Sequence, residues 1–166
     1  MLQVNVTQLH EDNRDALALA WVAGRDGSNV VHREAAASAD LVGHLNLTHP
    51  NSIQVIGAYE AGTLGGLTER LFASAPAALI VTDGVAVPAA LVEGATRSRT
   101  PLFTTPLPAA RVIEKLSRYL AKALAESTER HGVLMDVLGL GVLITGDSGV
   151  GKSELGLELI SRGHGL

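Results

Sequence analysis

At 166 residues the chain suffices for one domain, or for one small domain and part of another, which excludes a long solenoid or a multidomain machine. Hydrophobic residues make up 46% of it and aromatics 3%, so the core is aliphatic and alanine-filled, and intrinsic disorder is excluded. A net charge of −4 argues against a nucleic-acid or membrane-surface binder working through overall positive charge, and the lack of cysteine excludes disulfides, thiolate metal sites and a thiol nucleophile.

In chain order, Val4-Asn5-Val6 reads as a short strand, followed by a helix from Glu11 to Ala23 that stops at Gly24 and turns Leu17, Ala20 and Trp21 inward. Asn29-Val30-Val31 and Leu41-Val42-Gly43 read as strands, and the turn Thr48-His49-Pro50-Asn51 leads into a strand over Ile53–Gly57. A helix over Thr68–Ser74 precedes Ala78-Leu79-Ile80-Val81, an apolar run suited to a strand buried on both faces. A short helix over Pro88–Glu93 then leads to a strand over Pro101–Thr104. Strands alternating with helices predict an α/β fold with a parallel or mixed sheet. The clearest helix spans Pro106–Ala125, where Val112, Ile113, Leu116, Tyr119, Leu120, Ala123 and Leu124 form one stripe at the helical period.

Residues 126–130 are polar and unpatterned. The chain therefore divides into an α/β domain over 1–125, a linker over 126–130, and the start of a second domain over 131–166. Charge follows the same direction: residues 1–96 carry 4 Lys/Arg against 10 Asp/Glu, whereas residues 97–166 carry 9 against 7, so an anionic ligand favours the C-terminal part. His10, His32, His44 and His49 lie scattered among polar residues and default to the surface. The first fifteen residues hold no basic-then-apolar leader, and no stretch reaches the ~18 apolar residues of a membrane span, so the expected location is the cytoplasm.

The chemistry sits near the C-terminal end. Gly146, Asp147, Ser148, Gly149, Val150, Gly151, Lys152 and Ser153 match G-x-x-x-x-G-K-[ST], in which glycines let backbone N–H groups turn inward around phosphate oxygens. Chance produces this pattern in roughly 0.4% of chains of this length and composition. The context is also right: Gly141–Thr145 reads as a β-branched strand before the loop, and Lys152–Arg162 as a helix after it, ending at Gly163, whose open N–H groups and positive dipole end face the same anion. In that helix Leu155, Leu157, Leu159 and Ile160 are of the buried type, while Glu154 and Glu158 lie on a polar stripe directed away from the helix start. Lys152 suits the β- and γ-phosphates, and the Ser153 hydroxyl suits Mg²⁺. Upstream, His131–Leu138 and the turn Gly139-Leu140-Gly141 predict a hairpin over 133–145. With Leu140 at its centre, His131 lies opposite Gly149, beside the loop; an ordinary surface or capping histidine is the other reading.

The run from His131 to Leu166, with His131-Gly132-Val133-Leu134-Met135-Asp136-Val137, the loop and Leu157–Leu166, resembles the HPr kinase/phosphorylase family. Asn51–Gly57 and Thr100–Pro108, on through Arg111, Lys115 and Leu120, are similar to that family's N-terminal domain and the helix leading out of it. The resemblance implies a bifunctional enzyme of bacterial carbon regulation. It would use ATP and Mg²⁺ to phosphorylate a serine of the carrier protein HPr, and would remove that phosphate with inorganic phosphate, releasing pyrophosphate. It also implies that the nucleotide loop is Gly146 to Ser153, that His131 and Lys152 are active-site residues, that Ser153 is a magnesium ligand, and that the full-length form is a homohexamer. Asp136, Asp147, Glu154 and Glu158 are the carboxylates nearest the loop in sequence. The family's acid/base aspartate, second magnesium ligand and HPr-contacting segments are expected after Leu166, so the 166 residues are expected to lack turnover. A generic P-loop NTPase and a non-catalytic effector- or subunit-binding module are the alternatives.

Overall fold

Ala78-Leu79-Ile80-Val81 is buried along its whole length, and its alternating side chains enter two different cores. That strand is the middle of the computed structural model, which describes residues 3–25, 29–32, 41–125 and 131–165. The chain divides into two compact units, Met1–Ala125 and Glu126–Leu166; the expected linker, 126–130, lies outside the described residues.

In the first unit, β1 (Gln3–Asn5) pairs antiparallel with β3 (Val30–His32). A five-stranded sheet runs in the order β2 (Ala20–Ala23), β7 (Leu102–Thr104), β6 (Ala78–Val81), β5 (Ile53–Ile56), β4 (Val42–His44). Strands β4 to β7 are mutually parallel, and β2 closes one edge antiparallel, so the mixed α/β sheet expected from the sequence is present. Period-two alternation fills both faces. Ile53, Val55, Ala78, Ile80 and Phe103 meet α1 (Val6–Asn13) and α5 (Ala109–Ala123) on one side, while Ile56, Leu79, Val81 and Leu102 meet α2 (Ala58–Thr63), α3 (Thr68–Ala73) and α4 (Ala89–Ser98) on the other. No helix among the described residues is long and apolar enough to cross a membrane.

Four expectations are corrected here. The helix predicted over Glu11–Ala23 instead runs Val6–Asn13, because Asn5 caps it by accepting the Thr7 N–H at 2.7 Å. After Asn13 the chain turns through Ala18 at φ +46° and enters β2, where Trp21 pairs with Phe103. Burying Leu17 and Leu19, at about 1.5–3 kcal/mol for a full apolar side chain, outweighs the few tenths per residue that helix propensity supplies. The helix over Pro88–Glu93 extends to Ser98, and that over Pro106–Ala125 begins only at Ala109 after the extended Pro108; α2 carried no signal of its own. Nor is His10 a plain surface residue. Its half-buried ring stacks on Phe103 at 5.2 Å and meets the Trp21 ring edge-on at 5.2 Å.

Between the two helices of one face, the Tyr119 hydroxyl donates to Asp12 at 2.7 Å, and Gln8 Nε2 donates to the same carboxylate at 2.7 Å. These two bonds hold the Asp12 carboxyl below its ordinary range. Partial burial, then the Asp12 hydrogen bond and charge, push Tyr119 up to about 12. The depressed acid stabilises the fold above the ordinary carboxylate range and loses that contribution as pH falls through its folded value. The raised phenol contributes below about pH 10 and loses it as pH climbs toward 12. In a Tyr59→Phe background, phenolate absorbance should therefore report one high-titrating tyrosine, and Asp12→Asn should move its midpoint back toward the ordinary phenol range.

Candidate phosphate-binding site

The second unit begins with β8 (Gly132–Val137) and β9 (Leu140–Thr145), an antiparallel hairpin followed by a glycine-rich loop and α6 (Lys152–Ser161). Strand, loop and helix thus stand in the order the motif requires. The hairpin turn differs from the expected one. Its two turn residues are Leu138 and Gly139, both with positive φ (+56° and +81°), and Asp136 Oδ1 accepts the Gly139 N–H at 2.8 Å. The register therefore ends at Gly132 opposite Thr145, and one step further brings His131 opposite Gly146 rather than Gly149. His131 itself lies just outside the paired ladder and is exposed.

The loop folds as it does because its glycines permit it. Gly151 is the N-cap of α6 at φ +84°, a conformation that strains any residue bearing a Cβ, and a Cβ on Gly146 would lie 3.1 Å from Val150 Cγ2. The first intrahelical bond of α6 runs from Leu155 N to Gly151 O at 2.9 Å, so the N–H groups of Lys152, Ser153 and Glu154 precede the helical ladder and are available to an anion. Lys152 turns back across the loop, its Nζ donating to Gly146 O at 2.8 Å and to Asp147 O at 2.6 Å. Its ammonium therefore lies against the first two residues of the loop. Asp147, Ser148, Val150 and the Ser153 side chain are exposed.

These donors fit a chain of phosphates: a loop without obstructing Cβ atoms, three helix-start N–H groups and one ammonium. No group of three or more His, Asp or Glu residues that could hold a metal occurs among the described residues. A magnesium ion here would rest on the Ser153 hydroxyl and the phosphate oxygens themselves.

The structure separates the nearby carboxylates. Asp136 lies toward the far end of the hairpin, paired with Gly141, five residues or about 17 Å along the strand from the loop. It serves the turn, and its backbone bridges Gly165 in both directions. Glu158 pairs with Arg162 at 2.7 Å. Glu154 departs from expectation: its carboxylate bends toward the helix start, with Oε2 3.6 Å from where a Gly151 Cβ would stand. Helical side chains lean toward the N-terminus, and Glu154 is the third helical residue, so direction and spacing together would have found it. The apolar stripe of α6 is corrected too. Leu155, Leu157 and Ile160 are exposed at 49%, 66% and 37%, and the buried residue is Gly156, whose lack of a side chain lets α6 approach Val133 and Met135.

Comparison with known proteins places both units. The family described as HPr Serine kinase N terminus matches residues 4–120, and that described as HPr Serine kinase C-terminal domain matches residues 122–166. HPr kinase/phosphorylase from Paraburkholderia phytofirmans is 50% identical over 98% of this chain, and that from Burkholderia ambifaria 49% identical over 98%. The chain spans 55% of the length of each of these relatives.

Proposed function

Because this chain belongs to the HPr serine kinase family, we propose that it supplies the nucleotide loop of a bifunctional enzyme that phosphorylates a serine of HPr from ATP and removes that phosphate by phosphorolysis. The observation that carries the reading is the loop over 146–153 between β9 and α6, with Lys152 as the first helical residue and three open N–H groups behind it. Residues 1–125 form a regulatory or interaction domain, 126–130 a linker, and 131–166 the start of the kinase domain. The assembly is a cytoplasmic homohexamer.

Each residue has a role that its position supports. The N–H groups at the start of α6 bind phosphate oxygens, and Lys152 moves its ammonium from the Gly146 and Asp147 carbonyls onto the β- and γ-oxygens, where charge grows during transfer. Ser153 offers its hydroxyl to Mg²⁺, which when bound offsets the charge of the phosphates. His131, one residue before the β8–β9 ladder, hydrogen-bonds a phosphate oxygen or relays a proton in this reading. In the kinase direction the bond from the γ-phosphorus to the bridging oxygen breaks and a bond to the seryl oxygen forms, the seryl proton leaving to a base. In the reverse direction an oxygen of inorganic phosphate attacks the phosphoseryl phosphorus, giving pyrophosphate and returning a proton to the serine.

The test is to incubate the full-length protein with HPr, ATP and Mg²⁺ and follow the mass of HPr. One added phosphate on a serine, removed again with release of pyrophosphate when inorganic phosphate replaces ATP, is the expected result. An HPr mass that never changes contradicts the proposal.

A further inference from the structure

The loop that would hold highly charged phosphates is itself acidic. From Gly146 to Glu154 it carries Asp147, Lys152 and Glu154, a formal charge of −1. Its positive charge is at one end, where Lys152 reaches the carbonyls of Gly146 and Asp147. At the other end the Glu154 carboxylate leans over Gly151, beside the helix-start N–H groups of residues 152–154. A fixed carboxylate at a helix N-terminus is favourable for the helix dipole, and it faces the same positive region that an incoming phosphate needs. Like charges so placed repel in proportion to the charge of the anion.

We propose that Glu154 makes this loop selective for magnesium-complexed over metal-free phosphates. Complexation by Mg²⁺ lowers the anion's charge by two, about half that of fully ionised pyrophosphate, and so removes about half of its repulsion from Glu154, whereas the bare anion meets it in full. The carboxylate is thereby a specificity-determining residue that acts through its charge. The inference rests on the reading of residues 146–153 as the phosphate loop.

Pyrophosphate is the probe, titrated calorimetrically into the full-length protein once with excess Mg²⁺ and once with a chelator. The readout is the ratio of the two affinities. Glu154→Gln should tighten binding of metal-free pyrophosphate by about tenfold and binding of the magnesium complex by clearly less, so that the ratio falls. Glu154→Ala, neutral and helix-favouring, should do the same, and Glu154→Asp should stay near the original ratio. Glu158→Gln, at the Arg162 end of α6, should leave the ratio unchanged. A purely structural role at the helix start would shift both affinities together and leave the ratio as it was. An unchanged ratio in the two neutral variants, or an equal fall in Glu158→Gln, overturns the proposal while leaving the phosphate loop in place. Absence of pyrophosphate binding under either condition in the unaltered protein overturns the loop reading and this inference with it.

Discussion

Lys152→Ala should lower phosphoryl transfer to HPr by about 10³-fold in the full-length protein, with its folded structure retained, and should lower phosphorolysis equally. The ammonium is the one positive side chain within residues 146–154, and it already lies across the loop on the Gly146 and Asp147 carbonyls at 2.8 and 2.6 Å. In the kinase direction charge grows on the β- and γ-oxygens of ATP in the transition state, and in phosphorolysis the loop must hold inorganic phosphate against the phosphoseryl group, so removing this cation removes stabilisation of phosphate charge in both. Lys152→Arg should not rescue it. A planar guanidinium is larger than the compact ammonium and presents its donors in a fixed fork, so it does not deliver the same point charge to the phosphates. Steady-state rates followed by the mass of HPr, with circular dichroism to verify the fold, decide the matter. Retention of phosphorylation would defeat the assignment of this lysine.

Gly24→Ala should be the costliest small substitution in the first unit, destabilising it by about 3–4 kcal/mol. Gly24 follows β2 at φ +73°, and a Cβ there would stand 2.0 Å from Thr100 O and 2.9 Å from Pro101 N. Both atoms are backbone just ahead of β7, the strand that β2 pairs with, so relief requires separating the sheet's antiparallel edge. Gly66→Ala is the control, since nothing lies within 4 Å of its Cβ position and its φ is not positive; its effect should stay within about 0.5 kcal/mol. Thermal unfolding of the two variants beside the parent measures the difference.

What could be read from residues alone follows the range of the interactions involved. The loop was legible because four residue types at fixed spacing, between a β-branched strand and a helix, leave few other outcomes. β6 and α5 were legible because each carries its own complete hydrophobic period. The stretch 11–23 misled because Leu17, Ala20 and Trp21 satisfy helical spacing, while the competing structure depends on partners far along the chain. Trp21 pairs with Phe103, and Thr105 Oγ1 donates to Leu17 O at 2.6 Å. The hairpin centre was displaced by glycines on both sides of Leu140. A leucine at positive φ, as Leu138 is, is a choice that local preference argues against. His10 looked solvated because its neighbours in sequence are polar, whereas its neighbours in space are Phe103 and Trp21. The direction of Glu154 is not legible from a wheel of positions, which omits the tilt of helical side chains toward the helix start.

The central claim is that residues 146–153 and the first turn of α6 hold the phosphates of ATP. Amide hydrogen exchange of the full-length protein with and without Mg²⁺·ATP measures this residue by residue. Protection should rise at the amides of the loop and of Lys152, Ser153 and Glu154, and should be lost in Lys152→Ala. Unchanged exchange over 146–154 at saturating nucleotide, or protection confined to residues 1–125, would contradict it.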